Sequence, residues 1–381
     1  MTIGELMSAL EQISPLDYAE PWDNVGLILG DGAGALTGPT LLTIDFTQDI
    51  LDEAIDMGSS LVIAYHPPIW DAVKRVTSMD PKGKALLGAM RAGISIYSPH
   101  TALDAAPGGV TDWLCDMLAE PTDDHRTLGD RRALEPTLQR DPMGTHKIVT
   151  FVPAMEVEKV RNALASVGAG IIGDYSQCSF SSQGTGTFFG AEGTNPAVGR
   201  PGELQHIDEI RLEMVCPSRS LSLAVEMLRQ FHPYDEPPID LYELTPKPRR
   251  EVGAGRRITL DRPTAPSELA KRLKHNLGVD AVKLAAASDE PIHRIGVCPG
   301  AGAGLLESAI EMECQLFVTG EMSHHESLVA LSRGCSVLLA GHTNTERGFL
   351  PAYADKINAH APGAGAIHCS RDHTFFRTLS E

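Results

Sequence analysis

The sequence predicts an α/β protein: a split outer domain with mostly parallel strands and an inserted ferredoxin-like α+β domain. Three observations carry that expectation. Apolar, strand-like runs alternate with helical stretches near the N-terminus, and the same alternation returns near the C-terminus. Between them lies a segment in the order β-α-β-β-α-β.

The elements follow in chain order. "MTIGELMSALEQISP" has the apolar spacing of an amphipathic helix rather than of a signal peptide. "TLLTIDFT", "SSLVIAYHPPIW" and "GISIYSPH" are apolar runs of strand length. Helices are expected at "TQDILDEAIDMG", with Thr47 as N-cap, at "PKGKALLGAMRAG" and at "VTDWLCDMLAE". A polar stretch, Asp123–Asp141, reads as a connection. "HKIVTFVPAMEVEKVRNALASVG" then reads strand and helix, and "YSQCSFSSQGTGTFFGAEG" reads as glycine-punctuated hairpin strands. "DEIRLEMVCPSRSLSLAVEMLRQFHP" is strand and helix again, and "IDLYELTP" a last strand. "TPKPRREVGAGRR" reads as an exit linker. Three strand–turn–helix repeats close the chain, from "HRIGVCPGAGAGLLESAIEMEC" to "SVLLAGHTNTERGFLPAYADKI". The expected domains are 1–130 and 256–381, two halves of the outer domain, and 145–246, the insert.

Composition limits the function. The 381 residues suggest two or three domains, and 42% hydrophobic residues suffice for a core. With Lys plus Arg at 32 and Asp plus Glu at 50, the net charge is 32 − 50 = −18, which argues against direct nucleic-acid binding and suits cations. Seven scattered cysteines with no Cys-x-x-Cys pair read as reduced thiols of a cytoplasmic protein. No apolar run approaches the roughly 18 residues of a membrane span.

The candidate chemistry gathers at strand ends. In "GHTNTERGFL", His342 and Glu346 stand at i and i+4; if a helix starts after Gly341, they share a face and can hold a divalent cation. Alone, this spacing is more often an unliganded pair. Yet His66 follows a second strand, His100 and Asp104 a third, and Glu321, His324 and His325 a fourth. Open α/β sheets collect ligands at the carboxyl ends of their strands, so the coincidence favours a metal site. The glycine-rich "CPGAGAGLL" reads first as a tight packing turn and second as an anion cradle. Trp22, Asp23 and Asn24 read as a capped turn packed on the core.

The blocks "PWDNVGLILG", "YHPPIW", "YSPHTALDAAPGGV", "TGEMSHHE" and "GHTNTERGFL" resemble, in order, those of the NGG-interacting-factor-three-like family, whose bacterial members carry the label GTP cyclohydrolase one type two homologue. The central segment is similar to the PII-like insert of longer members. The resemblance implies two divalent ions per subunit (zinc, manganese or iron), held by Tyr65, His66, Asp104, His342 and Glu346. Tyr65 stands where many bacterial members have histidine, and a neutral phenol is a poor substitute for imidazole.

Two functions follow from different premises. A metal-dependent hydrolase would act on an anionic small molecule, with Glu321 or His325 as general base; the family label suggests nucleotide ring opening. A non-catalytic metal scaffold, delivery or regulatory protein is the alternative. The resemblance also implies a homohexameric ring with the insert capping its openings.

Overall fold

In a computed structural model, the structure describes residues 1–120, 129–139, 142–194 and 196–376. The chain divides into two compact units. One joins Met1–Thr137 to Arg249–Glu381, and the other is Leu138–Pro248.

The first unit holds two sheets, one built mainly by each half of the sequence. In the five-stranded sheet the order is Gly26–Leu29, Ser95–Ser98, Leu61–Ala64, Leu41–Thr43 and Ile367–His368. All neighbours are parallel except the first pair. Every residue of the three central strands is buried, which explains their unbroken apolar runs. In the six-stranded sheet, parallel strands Ser336–Leu339, Leu316–Thr319 and Ile292–Cys298 lie between antiparallel neighbours. The last strand of the chain returns to the first sheet, pairing Ile367 with Leu41.

Helices bind the halves together. Ile3–Ile13 starts with a capping box, in which Thr2 and Glu5 exchange hydrogen bonds. Its Ile3, Leu6 and Leu10 share one core with Phe349, Leu350, Tyr353 and Ile357 near the chain end. Leu114 and Cys115 of helix Val110–Asp116 pack instead on Ile258 and Ile295 of the six-stranded sheet. Thr47 does occupy the N-cap of helix Gln48–Asp56, although its side chain makes no capping bond.

Two stretches expected as connections are strands. Gly129–Gln139, inside the polar stretch, and Lys247–Thr264, which takes in most of the expected linker 245–257, are neighbours at one edge of the six-stranded sheet. The rest of the polar stretch, 123–128 and 140–141, lies outside the described residues. Glycines disguised the second strand. Gly253, at φ +142°, lets the backbones approach so closely that a Cβ would sit 2.1 Å from the Glu135 carbonyl oxygen. A buried arginine, Arg256, further breaks its apolar pattern.

The second unit has a four-stranded antiparallel sheet in the order Phe180–Phe189, Leu204–Cys216, His146–Pro153, Ile239–Glu243. Helices Val157–Ser166 and Leu221–Phe231 share its core, where Val160, Leu164 and Leu228 meet Ile148, Val152 and Leu212. All seven cysteines are free thiols. Among the described residues, no helix is long and apolar enough to cross a membrane.

Candidate metal centre

The carboxyl ends of parallel strands from both sheets of the first unit line one cavity of about 720 Å³. His66 follows Leu61–Ala64, His100 follows Ser95–Ser98, and His342 follows Ser336–Leu339. The donor atoms of His66, His342 and Glu346 all lie within 4.8 Å of one another.

The local backbone differs from the helix expected after Gly341. Residues Thr343–Thr345 and Arg347–Phe349 form two 3-10 turns, broken at Glu346 with φ −128° and ψ −53°. Short polar side chains compete for the helical carbonyls here: Asn344 donates to the Ala340 carbonyl and Thr345 to that of His342. Glu346 still reaches His342, with Oε1 3.4 Å from Nε2, and its Oε2 lies 3.6 Å from Nε2 of His66.

Each imidazole is fixed from behind. His66 Nδ1 donates to Asp45 at 3.0 Å, and His342 Nδ1 donates to Glu321 at 3.0 Å. His100 Nδ1 donates to Asp23 at 2.8 Å. A carboxylate on Nδ1 fixes the ring, so that Nε2, once it gives up any proton it holds, turns its lone pair toward a cation. Burial disfavours charge on His66, yet the carboxylates of Asp45 and Glu346 outweigh it and lift its pKa to about 10.

The donor set fits a metal by three observations. Glu346 is only 3% exposed, and its Oε2 has no hydrogen-bond partner. Such an orphan is costly unless something else satisfies it. The 3.4 and 3.6 Å separations are too long for good hydrogen bonds. Donors 2.0–2.2 Å from a tetrahedral cation would stand about 3.3–3.6 Å apart. Finally, Gly300 leaves room: a Cβ there would lie 2.5 Å from Glu346 Oε1 and 3.1 Å from His342 Nε2.

Gly300 also has φ +61°. Gly300→Ala is therefore expected to cost about 1–2 kcal/mol from the left-handed backbone alone. It should also push Glu346 aside and weaken metal binding, which titration calorimetry with Mn²⁺ can measure. Two amides of the glycine run are already committed. The Gly300 amide donates to Thr345 Oγ1 and the Gly302 amide to Thr319 Oγ1, so both are satisfied internally.

The remaining sequence candidates fall in three places. Asp104 lines the cavity but stands outside the group of three. Glu321, largely exposed, is engaged with His342. His325 sits at the exposed start of helix His324–Ser332, its ring against His324, and is not part of the cavity lining. The turn at Trp22–Asn24 is the reverse of the core-packed turn expected. Trp22 is 60% exposed, while the Asp23 side chain is buried, accepting hydrogen bonds from His100, the Thr101 amide and the Thr101 hydroxyl. Burial opposes ionisation of Asp23, but these bonds hold its pKa below the usual carboxylate value. Sequence reasoning missed Asp23 and Asp45 as imidazole partners. The available signal was an acidic residue at the end of an apolar run, as in "TLLTID".

The family model Duf34/NIF3 (NGG1p interacting factor 3) matches residues 1–374. The chain belongs to the Duf34/NIF3 family. A Bacillus subtilis relative named GTP cyclohydrolase 1 type 2 homolog is 33% identical over 356 residues, 93% of this chain and 88% of the relative. NIF3-like protein 1 of Bos taurus is 32% identical over 375 residues, 94% of this chain and 88% of its own. Among solved structures, a Bacillus cereus protein related to NIF3 superposes with a TM-score of 0.65 at 29% identity, covering 100% of this chain and 99% of that one. A Staphylococcus aureus protein shares the fold, with a TM-score of 0.76 at 24% identity and the same coverage.

In this NIF3-family chain Tyr65 is fully buried, and its hydroxyl donates to Asp104 Oδ1 at 2.6 Å. Burial, then the nearby Asp104 and Glu346 carboxylates, push the phenol well above its usual pKa, so it stays a donor. Burial also lifts Asp104 to about 6, against the pull of His100 and the Tyr65 hydrogen bond.

Proposed function

We propose that this NIF3-family protein is a metal-dependent hydrolase of anionic small molecules, with a centre built on His66, His342 and Glu346. One observation carries the reading: the buried Glu346 carboxylate faces the Nε2 atoms of two histidines whose Nδ1 atoms are already held, with Oε2, which has no hydrogen bond, at His66 and Oε1 at His342. Mixed imidazole and carboxylate donors suit Zn²⁺, Mn²⁺ or Fe²⁺. Such a cation, when bound, supplies Lewis acidity and a lowered pKa for water.

The chain's own residues divide the remaining work. Asp45 and Glu321 orient the two imidazoles. Asp104, with Tyr65 donating to it, offers a carboxylate for a second ion beside the first. Tyr65 itself adds no ligand nitrogen, so Tyr65→His is expected to raise the metal content per chain, measured by plasma mass spectrometry. Unchanged content would count against a second ion site there. The relatives' name makes purine nucleotides the first substrates to test. We read the four-stranded unit as the PII-like insert and the assembly as a cytoplasmic homohexamer; a light-scattering mass near 40.9 kDa would overturn the hexamer.

A scaffold role is favoured by a different observation. Of the two residues read as general bases, Glu321 is tied to His342 and His325 lies outside the cavity lining. Hydrolysis of nucleotides and phosphoesters with added Mn²⁺ or Zn²⁺ decides between them. Turnover lost in His342→Ala supports the hydrolase. Stoichiometric metal without turnover supports the scaffold.

A further inference from the structure

Two of the three tryptophans stand in the open at the metal cavity. Trp22 is 60% exposed and Trp70 47% exposed, and both line the cavity. The third, Trp113, packs among core residues. Exposed tryptophan forgoes much of its burial energy, so a side-by-side pair at a cavity mouth asks for a ligand. The two rings lie 5.5 Å apart with planes tilted by 35°. Trp70 also meets His100 edge-on at 5.3 Å. From His100 the rings continue inward to His66 at 5.5 Å and from His66 to His342 at 5.4 Å.

We propose that Trp22 and Trp70 form a stacking subsite for a flat aromatic heterocycle, whose polar end points toward His66, His342 and Glu346. The chemistry of the cavity selects this class. Its outer part offers aromatic faces, whereas its inner part offers Asp45, Asp104, Glu346 and imidazoles. An alkyl chain reaching inward would desolvate those carboxylates without pairing them. A ligand with a planar ring outside and polar groups inside meets both surfaces. A volume of about 720 Å³ accommodates a molecule of nucleoside size. This subsite deepens the metal-centre reading, and its orientation toward the metal residues rests on that reading.

The test separates the two. A neutral nucleoside, adenosine, probes the ring site on metal-free protein, with ribose as the ringless control. Saturable quenching of tryptophan fluorescence by adenosine and none by ribose is expected, since both exposed tryptophans sit at the site. Calorimetry should show about a tenfold loss of affinity in Trp22→Leu and in Trp70→Leu, the scale of one base–aromatic stack. Trp70→Phe, which keeps a ring, should lose much less. No saturable quenching by adenosine, or full affinity in the Trp22→Leu/Trp70→Leu double variant, would overturn the subsite. Metal binding would remain a separate measurement.

Discussion

Glu346→Gln is expected to remove tight metal binding while leaving the metal-free fold close to the parent in stability. Losing a partner that merely orients a ligand typically weakens a metal roughly 10–100-fold. Losing the carboxylate that two Nε2 atoms face should exceed that. The stability half of the expectation is the sharper one. Glu346 is 3% exposed, and burying its charge costs about what its attraction to the His66 imidazolium, 3.6 Å away, returns. The amide of Gln keeps the shape and drops the charge. Thermal unfolding with and without Mn²⁺ reads both effects. The parent should gain about 2.7 kcal/mol when free metal is a hundred times Kd, and the variant should gain nothing. A metal-free variant far less stable than the parent would make Glu346 a structural group and sink the metal reading.

The same site fixes a pH dependence. In the metal-free protein His66 is charged up to about pH 10 through Asp45 and Glu346, against its burial. A raised histidine pKa stabilises the fold fully below the unfolded value of about 6.5, and that contribution disappears as pH rises through the folded value. A cation must displace this proton, so metal affinity should fall as pH falls. Calorimetry in two buffers of different ionisation heat would show the released proton.

What the sequence made legible follows the local patterns. Fully buried parallel strands such as Leu61–Ala64 announce themselves as unbroken apolar runs, and their ends therefore located His66, His100 and His342. Lys247–Thr264 was hidden because glycines at φ +142° and +61° and a buried arginine occupy it, which local reading takes for a loop. The Asp45, Asp23 and Glu321 partnerships were hidden for another reason. They join residues 21, 77 and 21 positions apart, and only the folded sheets bring them together. His342 and Glu346 were paired for a helical reason, yet they converge through two 3-10 turns instead.

Arg256→Met is expected to destabilise the first unit by about 3–5 kcal/mol, the usual result of leaving a buried charge network without one partner. Arg256 is 1% exposed, and all five of its N–H donors are used. Nε donates to Asp112, Nη1 to the Gly253 and Gly255 carbonyls, and Nη2 to the Ala105 and Ala106 carbonyls. The last two lie at the end of helix His100–Ala105, whose final carbonyls have no partner within the helix. One guanidinium thus closes the helix that carries His100 and Asp104 and ties it to a strand from the other half of the sequence. Methionine fills the space but removes a donor from Asp112 Oδ1 and from all four carbonyls; the Ala106 carbonyl keeps the Gly109 amide, and Asp112 Oδ2 keeps the Gly108 amide. Arg256→Lys keeps the charge but has three donors on one atom, so it should recover only part of the loss. All three tryptophans fall in the first unit, so urea unfolding followed by tryptophan fluorescence reports on it selectively. A midpoint unchanged in Arg256→Met would mean that the network contributes nothing beyond packing. The expected outcome is a lowered midpoint, together with weaker Mn²⁺ binding as Asp104 and His100 lose their fixed helix.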